Sequence, residues 1–167
     1  MLPGDKIELR ERMLDDLTFW VMALDAPAPR DQDKAEVRRG ERLFIKAQCA
    51  ECHVPELRTG AFPALPQLSH RRFRAYTDML IHDMGDGLAD GRPDFKAGPR
   101  DWRTPPLWGL GLSKQVNGST NLLLDGRARN VFEAILWHAG EATASRDKFT
   151  KLKPQEREDL IAFVNSL

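Results

Sequence analysis

The sequence predicts an all-α, loop-rich fold, and three observations carry that reading. Apolar residues recur at helical spacing in four stretches: Leu9, Met13, Leu17, Trp20 and Leu24; Val37, Gly40, Leu43 and Phe44; Val131, Ala134, Ile135 and His138; and Leu160, Phe163, Val164 and Leu167. The 12 glycines and 11 prolines concentrate between Thr59 and Gly126, which predicts a middle made of loops. With 41% hydrophobic and 30% charged residues, the 167-residue chain has the composition of a folded domain with a core, not of a disordered or membrane-spanning one.

In chain order, Ile7 to Leu24 reads as an amphipathic helix, broken by Pro27 and Pro29. This divides the chain into residues 1–33, a helix with a proline-containing linker, and residues 34–167, the main domain. The first helix is expected to pack against something further, or across the rest of the chain. The next helix carries Gly40, which costs about 1 kcal/mol against Ala. Its return is close approach by another helix, and the expected partner is the last segment, Pro154 to Leu167, where Pro154 suits the first helical position. Between them, Asn130 with Glu133 three residues on resembles a capping box, and Gly140 suits the end of a helix running from Asn130.

Charge excludes some functions. The 25 basic and 25 acidic residues cancel, so no nucleic-acid partner is expected. The apolar run from Leu17 to Leu24 is too short to cross a bilayer. No leader is visible either, since the opening Met-Leu-Pro-Gly-Asp-Lys lacks a basic stretch running into an apolar one.

Both cysteines fall in Cys49-Ala50-Glu51-Cys52-His53, the C-x-x-C-H pattern of covalent haem attachment. Two thiols one turn apart each add to a vinyl group on one porphyrin edge, and the adjacent histidine is held under the iron as proximal ligand. Competing readings need more than the sequence offers. A redox C-x-x-C calls for a βαβ context, a structural zinc site for two further ligands, and a disulfide closing so short a loop would constrain almost nothing. The expectation is therefore a cytochrome c-like domain around one covalent haem c, with an additional N-terminal helix.

The sixth iron position decides between electron transfer and ligand activation. Candidates are Met79, Met84, His70, His82 and His138, together with a lysine or water. His138 shares a helix face with Val131, Ala134 and Ile135, and Met84 is a flexible thioether just before a turn glycine. His82 shares its segment with Asp83 and Asp86 and is expected to make hydrogen bonds instead.

Several strings carry a family resemblance. Glu41-Arg-Leu-Phe44 through Cys49-Ala-Glu-Cys-His-Val-Pro-Glu-Leu57, Tyr76-Thr-Asp-Met-Leu-Ile-His-Asp-Met-Gly85, Trp102-Arg-Thr-Pro-Pro-Leu-Trp-Gly-Leu-Gly111, Asp125-Gly-Arg-Ala-Arg129 and Ala134-Ile-Leu-Trp-His-Ala-Gly-Glu141 are similar to those of di-haem oxidoreductases often labelled thiol oxidoreductases. These are relatives of bacterial di-haem cytochrome c peroxidases. The chain resembles the C-terminal half of such a protein, and a counterpart domain with a second C-x-x-C-H is not in it. The resemblance assigns Cys49 and Cys52 to the thioether bonds and His53 to the proximal position. It also places His138 where relatives carry a distal methionine, which makes His138 the expected distal ligand and Met84 the alternative. Leu124 departs from the family's His-Asp-Gly-Arg element. Arg103 and Arg127 are candidates for pairing with haem propionates, because a guanidinium matches a carboxylate fork. Trp108, with Trp102 and Trp137, is expected to pack the porphyrin. The implied function is electron transfer, with no catalytic residue assigned. The alternative is a peroxidase-type oxidoreductase whose reactive haem lies on a missing domain or partner. The expected partner is a redox protein or a second haem domain, with the oligomeric state left open, and the expected compartment is the periplasm.

Overall fold

The computed structural model describes residues 9–167, so the start of the first expected helix, at Ile7, lies outside the described residues. From Leu9 on, six α-helices alternate with short strands and single 3₁₀ turns: α1 (Glu11–Met22), α2 (Ala35–Lys46), β1 (Leu57–Arg58), β2 (Arg72–Phe73), β3 (Ile81–Asp83), β4 (Asp101–Arg103), α3 (Ser113–Asn117), α4 (Val131–Trp137), α5 (Thr143–Thr150) and α6 (Pro154–Ser166). No helix among the described residues is long and apolar enough to cross a membrane.

The all-α expectation is corrected by the middle of the chain. There β1 pairs antiparallel with β2, matching Leu57 to Phe73 and Arg58 to Arg72, and β3 pairs antiparallel with β4, matching His82 to Trp102. The fold is mixed, with helices dominant and two small two-stranded sheets. The physical reason lies in the backbone: chain drawn close to a core must pair its N–H and C=O groups, and short ladders do this where helices are broken by glycine and proline.

The core is built on the crossing of α2 and α6. Val37, Gly40, Leu43 and Phe44 of α2 are buried, as are Leu160, Phe163 and Val164 of α6. A methyl group at Gly40 would run into the Asp159 carbonyl and sit 2.6 Å from Phe163 Cβ, so glycine alone permits this approach. Beside it, Phe44, Tyr76 and Phe163 meet edge to face at centroid separations of 5.4–6.1 Å. Arg39 grips the buried Asp159 with two bonds of 2.7 and 3.0 Å, tying α2 to the first half of α6. The open carbonyls at the end of α6 are also met: Gly109 N–H donates to Leu167, Arg30 N–H to Ser166 and the Arg30 guanidinium to Asn165. By contrast, α1 contains no buried residue.

Candidate functional site

A cavity of about 470 Å³ opens beside this crossing. Its walls come from along much of the described chain, among them Phe44 of α2, the Cys49 to His53 segment, His82 and Met84, Trp102 to Leu110, Leu122 to Leu124, α4 with its end at His138, and Glu141 to Arg146; Leu160 and Val164 of α6 close it. Its volume lies in the usual range for pockets holding a small-molecule cofactor.

The C-x-x-C-H segment reaches the wall because α2 stops at once. Gln48 takes a left-handed φ of 66°, and a single 3₁₀ turn, Cys49–Glu51, follows, closed by His53 N–H on the Cys49 carbonyl at 2.9 Å. Both thiols are free. Burial pushes the Cys49 thiol up to about 11, and burial followed by Asp78 and Glu141 raises Cys52. The pair is therefore protonated at neutral pH, unlike the activated thiolates of redox C-x-x-C sites.

The two histidines lie close together on the cavity wall. His53 lies against Phe44, and burial pulls its pKa down to about 4, so its ring is neutral. Its Nδ1 donates to the Tyr76 carbonyl at 3.0 Å. That carbonyl is aimed by a left-handed backbone at Tyr76, φ 52°, held between bonds from Leu107 to Ala75 and from Thr77 to Val54. His138 is likewise lowered by burial. It caps the end of α4: the backbone turns extended there, and Nδ1 donates to the Ala134 carbonyl at 2.7 Å. This is why α4 ends at Trp137 instead of continuing toward Gly140. Each carbonyl fixes its ring as the Nδ1–H tautomer and leaves Nε2 as a lone pair, with no protein hydrogen-bond partner among the described residues.

The ring centroids stand 6.4 Å apart with planes inclined at 47°. An imidazole nitrogen binds a first-row metal ion at about 2 Å, and its ring centre lies about 1 Å beyond, so two rings sharing one ion have centroids roughly 6 Å apart. The donors present thus fit a haem whose iron His53 and His138 would hold, with two cysteines on the same wall.

The other predicted residues divide. Met84, Arg103, Trp102 and Trp108 line the cavity. Arg103 extends to the Met79 sulfur at 4.0 Å, and Trp108 packs on Phe73 at 5.9 Å. Arg127 and Trp137 are not part of the lining. Arg127 is engaged by Asp125 at 2.5 Å and the Gly87 carbonyl at 2.7 Å, and it lies over the rings of Trp102 and Trp137 at 6.0 and 5.5 Å. His70 sits exposed in a turn, and Leu124 lines the cavity. His82 has both nitrogens occupied: Nε2 meets Asp78 and Nδ1 meets Glu141, each at 2.8 Å. Asp83 and Asp86, its sequence neighbours, bind Arg100 instead.

Sequence reasoning did not find the carbonyls of Tyr76 and Ala134, because backbone groups leave no trace in residue identity. It also missed Asp78 and Glu141 around His82. Glu141 comes from beyond α4, and only Gly140 makes room for the approach, since a side chain there would strike the Asp83 carbonyl.

No curated protein and no solved structure matches the chain. A family profile does, over residues 3–167, essentially the whole length. Together with the C-x-x-C-H wall and the neighbouring imidazoles, that match closes the question of kinship: the chain belongs to the family described as "Di-haem oxidoreductase, putative peroxidase".

Proposed function

We propose that this chain is a c-type haem domain that passes electrons within a di-haem oxidoreductase system, holding one covalent haem through Cys49 and Cys52 with His53 and His138 as axial ligands. The observation that carries the reading is the pair of imidazoles whose Nδ1 atoms are fixed by the Tyr76 and Ala134 carbonyls and whose centroids lie 6.4 Å apart. A haem bound there supplies a one-electron couple at its iron. The protein supplies position and medium. The two carbonyls set ring orientation and basicity, Phe44, Leu107, Val131, Leu160 and Val164 surround the site with apolar side chains, and two nitrogen ligands would give the iron a potential below that of a His/Met site. Arg103 and Trp108 lie on the wall where propionates and porphyrin face would be met. With His53 and His138 both holding the iron, no ligand position would be left for a substrate, and substrate chemistry would belong to a second haem, on a partner domain or a redox protein. Because haem c is attached outside the bacterial cytoplasm, the working compartment is the periplasm.

The test is expression with a periplasmic leader and haem-c maturation proteins. The wild type should show a low-spin ferric spectrum. His138→Ala should turn it high-spin and open it to cyanide, while Met84→Leu should leave it low-spin. A near-infrared methionine-ligation band in the wild type that disappears in Met84→Leu would reverse the ligand assignment. The family description favours a second reading, peroxidase chemistry in the chain itself. Rapid absorbance changes when the wild-type domain alone is mixed with hydrogen peroxide would establish that reading over electron transfer.

A further inference from the structure

We propose that the outer face of the β1–β2 hairpin, with the adjoining side of α2, is the docking surface for an acidic electron-transfer protein. The electron transfer rests on the haem reading above; the charge of the partner does not. From Leu57 to Arg74 the chain carries four arginines, Arg58, Arg71, Arg72 and Arg74, and no aspartate or glutamate. Across the ladder Leu57 stands opposite Phe73 on one face and Arg58 opposite Arg72 on the other, with both arginines exposed. Like charges directly opposed in a sheet work against it, so folding alone gives no reason for this pair. Glu56 meets Arg72 at 3.2 Å and Glu41 of α2 meets Arg74 at 2.9 Å, whereas Arg58 and Arg71 are in no ion pair among the described residues. Arg38, also exposed and unpaired among them, lies one turn before Glu41 on α2, so the basic surface continues onto that helix.

The hairpin's other face joins this surface to the cavity. Phe73 packs on Trp108 at 5.9 Å, and Trp108, itself 37% exposed, lines the cavity. A partner seated on the arginines is thus held beside the cavity wall. Its chemistry follows from theirs. All five cations are guanidinium groups, whose forks match carboxylates two bonds at a time. No large apolar residue between Leu57 and Arg74 is exposed, so a lipid surface finds no anchor there. Opposed charges speed encounters more than they tighten complexes, which suits a partner that must leave after one electron.

Plant-type ferredoxin, an acidic one-electron donor, is the probe for the matured wild-type chain. Mixed by stopped flow, reduced ferredoxin should reduce the ferric protein at a rate that falls about tenfold as salt is raised from about 0.01 to 1 M. Arg58→Glu combined with Arg71→Glu should slow the reaction about tenfold at low salt and leave the haem spectrum and melting temperature unchanged. Arg71→Gln alone, outside the ladder, should slow it about twofold. In the isotope-labelled chain, amide shifts on adding oxidised ferredoxin should centre on residues 57–74. A rate indifferent to salt or to these substitutions would overturn the proposal, as would amide shifts centred elsewhere. So would wild-type binding to phosphatidylserine vesicles that the double substitution abolishes, since the surface would then belong to a membrane. Pyridine haemochrome separates the two claims. A haem-free chain whose hairpin amides still shift with ferredoxin sinks the functional reading alone. A haem-loaded chain reduced equally fast with and without the arginines sinks the docking surface alone.

Discussion

At His138 a single side chain does two jobs, closing the last turn of α4 through Nδ1 and presenting Nε2 to the cavity. His82, only part of the wall away, does the opposite, committing both nitrogens to carboxylates. The contrast separates the proposed ligand from a clamp by hydrogen bonding alone. The clamp has a pH signature. Glu141 first, then Asp78, raises His82 above its ordinary 6.5, against some burial. The stability it contributes is therefore complete below pH 6.5 and fades as pH rises through the raised value. Glu141 is held below its usual 4.5 by His82 and the Asp83 amide. Burial pushes Asp78 up, but the Leu80 amide and His82 outweigh it and leave it below 3.8. The carboxylates' contribution is present above those ordinary values and lost as pH falls through the lowered ones. Substituting His82→Gln should therefore lower the melting temperature most between about pH 4.5 and 6.5, and less on either side. Thermal denaturation of both proteins across pH checks this, and a difference that does not vary with pH would remove the clamp.

Among elements, the crossing of α2 and α6 was readable because its signal is a residue type that makes sense only in contact. Gly40 is costly in a helix and becomes useful where Asp159 and Phe163 press against it. Gly40→Ala gains about 1 kcal/mol of helix propensity. It forces the two helices apart against backbone that cannot yield, at about 3 kcal/mol. A net loss of about 2 kcal/mol in urea denaturation is expected, and a neutral result would mean that the helices do not meet there. The two sheets were not readable. Strands of two or three residues hold at most one alternation, and β3 offers Ile81, His82 and Asp83, which no period distinguishes from loop. The end of α4 was misplaced for a related reason: a histidine capping its own helix looks, in sequence, like one more residue on its apolar face. The C-x-x-C-H wall was legible because the chemistry fixes the spacing, and Arg127 was not, because a guanidinium held by Asp125 and two indoles looks in sequence like any other arginine.

Across the whole molecule, the cavity walls belong to segments that otherwise have little in common. Trp102 to Leu110 and Leu122 to Leu124 come from the glycine- and proline-rich middle, and both line this space together with α4 and α6. The crossing of α2 and α6 shares one core cluster with Tyr76, Leu107 and Val131 but also has contact of its own, with Phe44 and Phe163 meeting edge to face at 5.4 Å and Arg39 bonded to Asp159. The two sides of the core should therefore respond differently to loss of the proposed covalent haem. Apolar contact with a haem over a few hundred Å², at about 25 cal/mol per Å², is worth roughly 5–10 kcal/mol, comparable to the entire stability of a small domain. Replacing Cys49 and Cys52 together by Ala removes that contribution once the free haem is washed out. Native-state amide exchange in this variant should show protection lost across residues 101–135, while α2 and α6 retain much of theirs. Protection unchanged throughout would mean that the middle of the chain is held by its own two sheets and not by what the cavity binds. Protection lost in α2 and α6 as well would mean that the core folds as one cooperative unit around the attachment site.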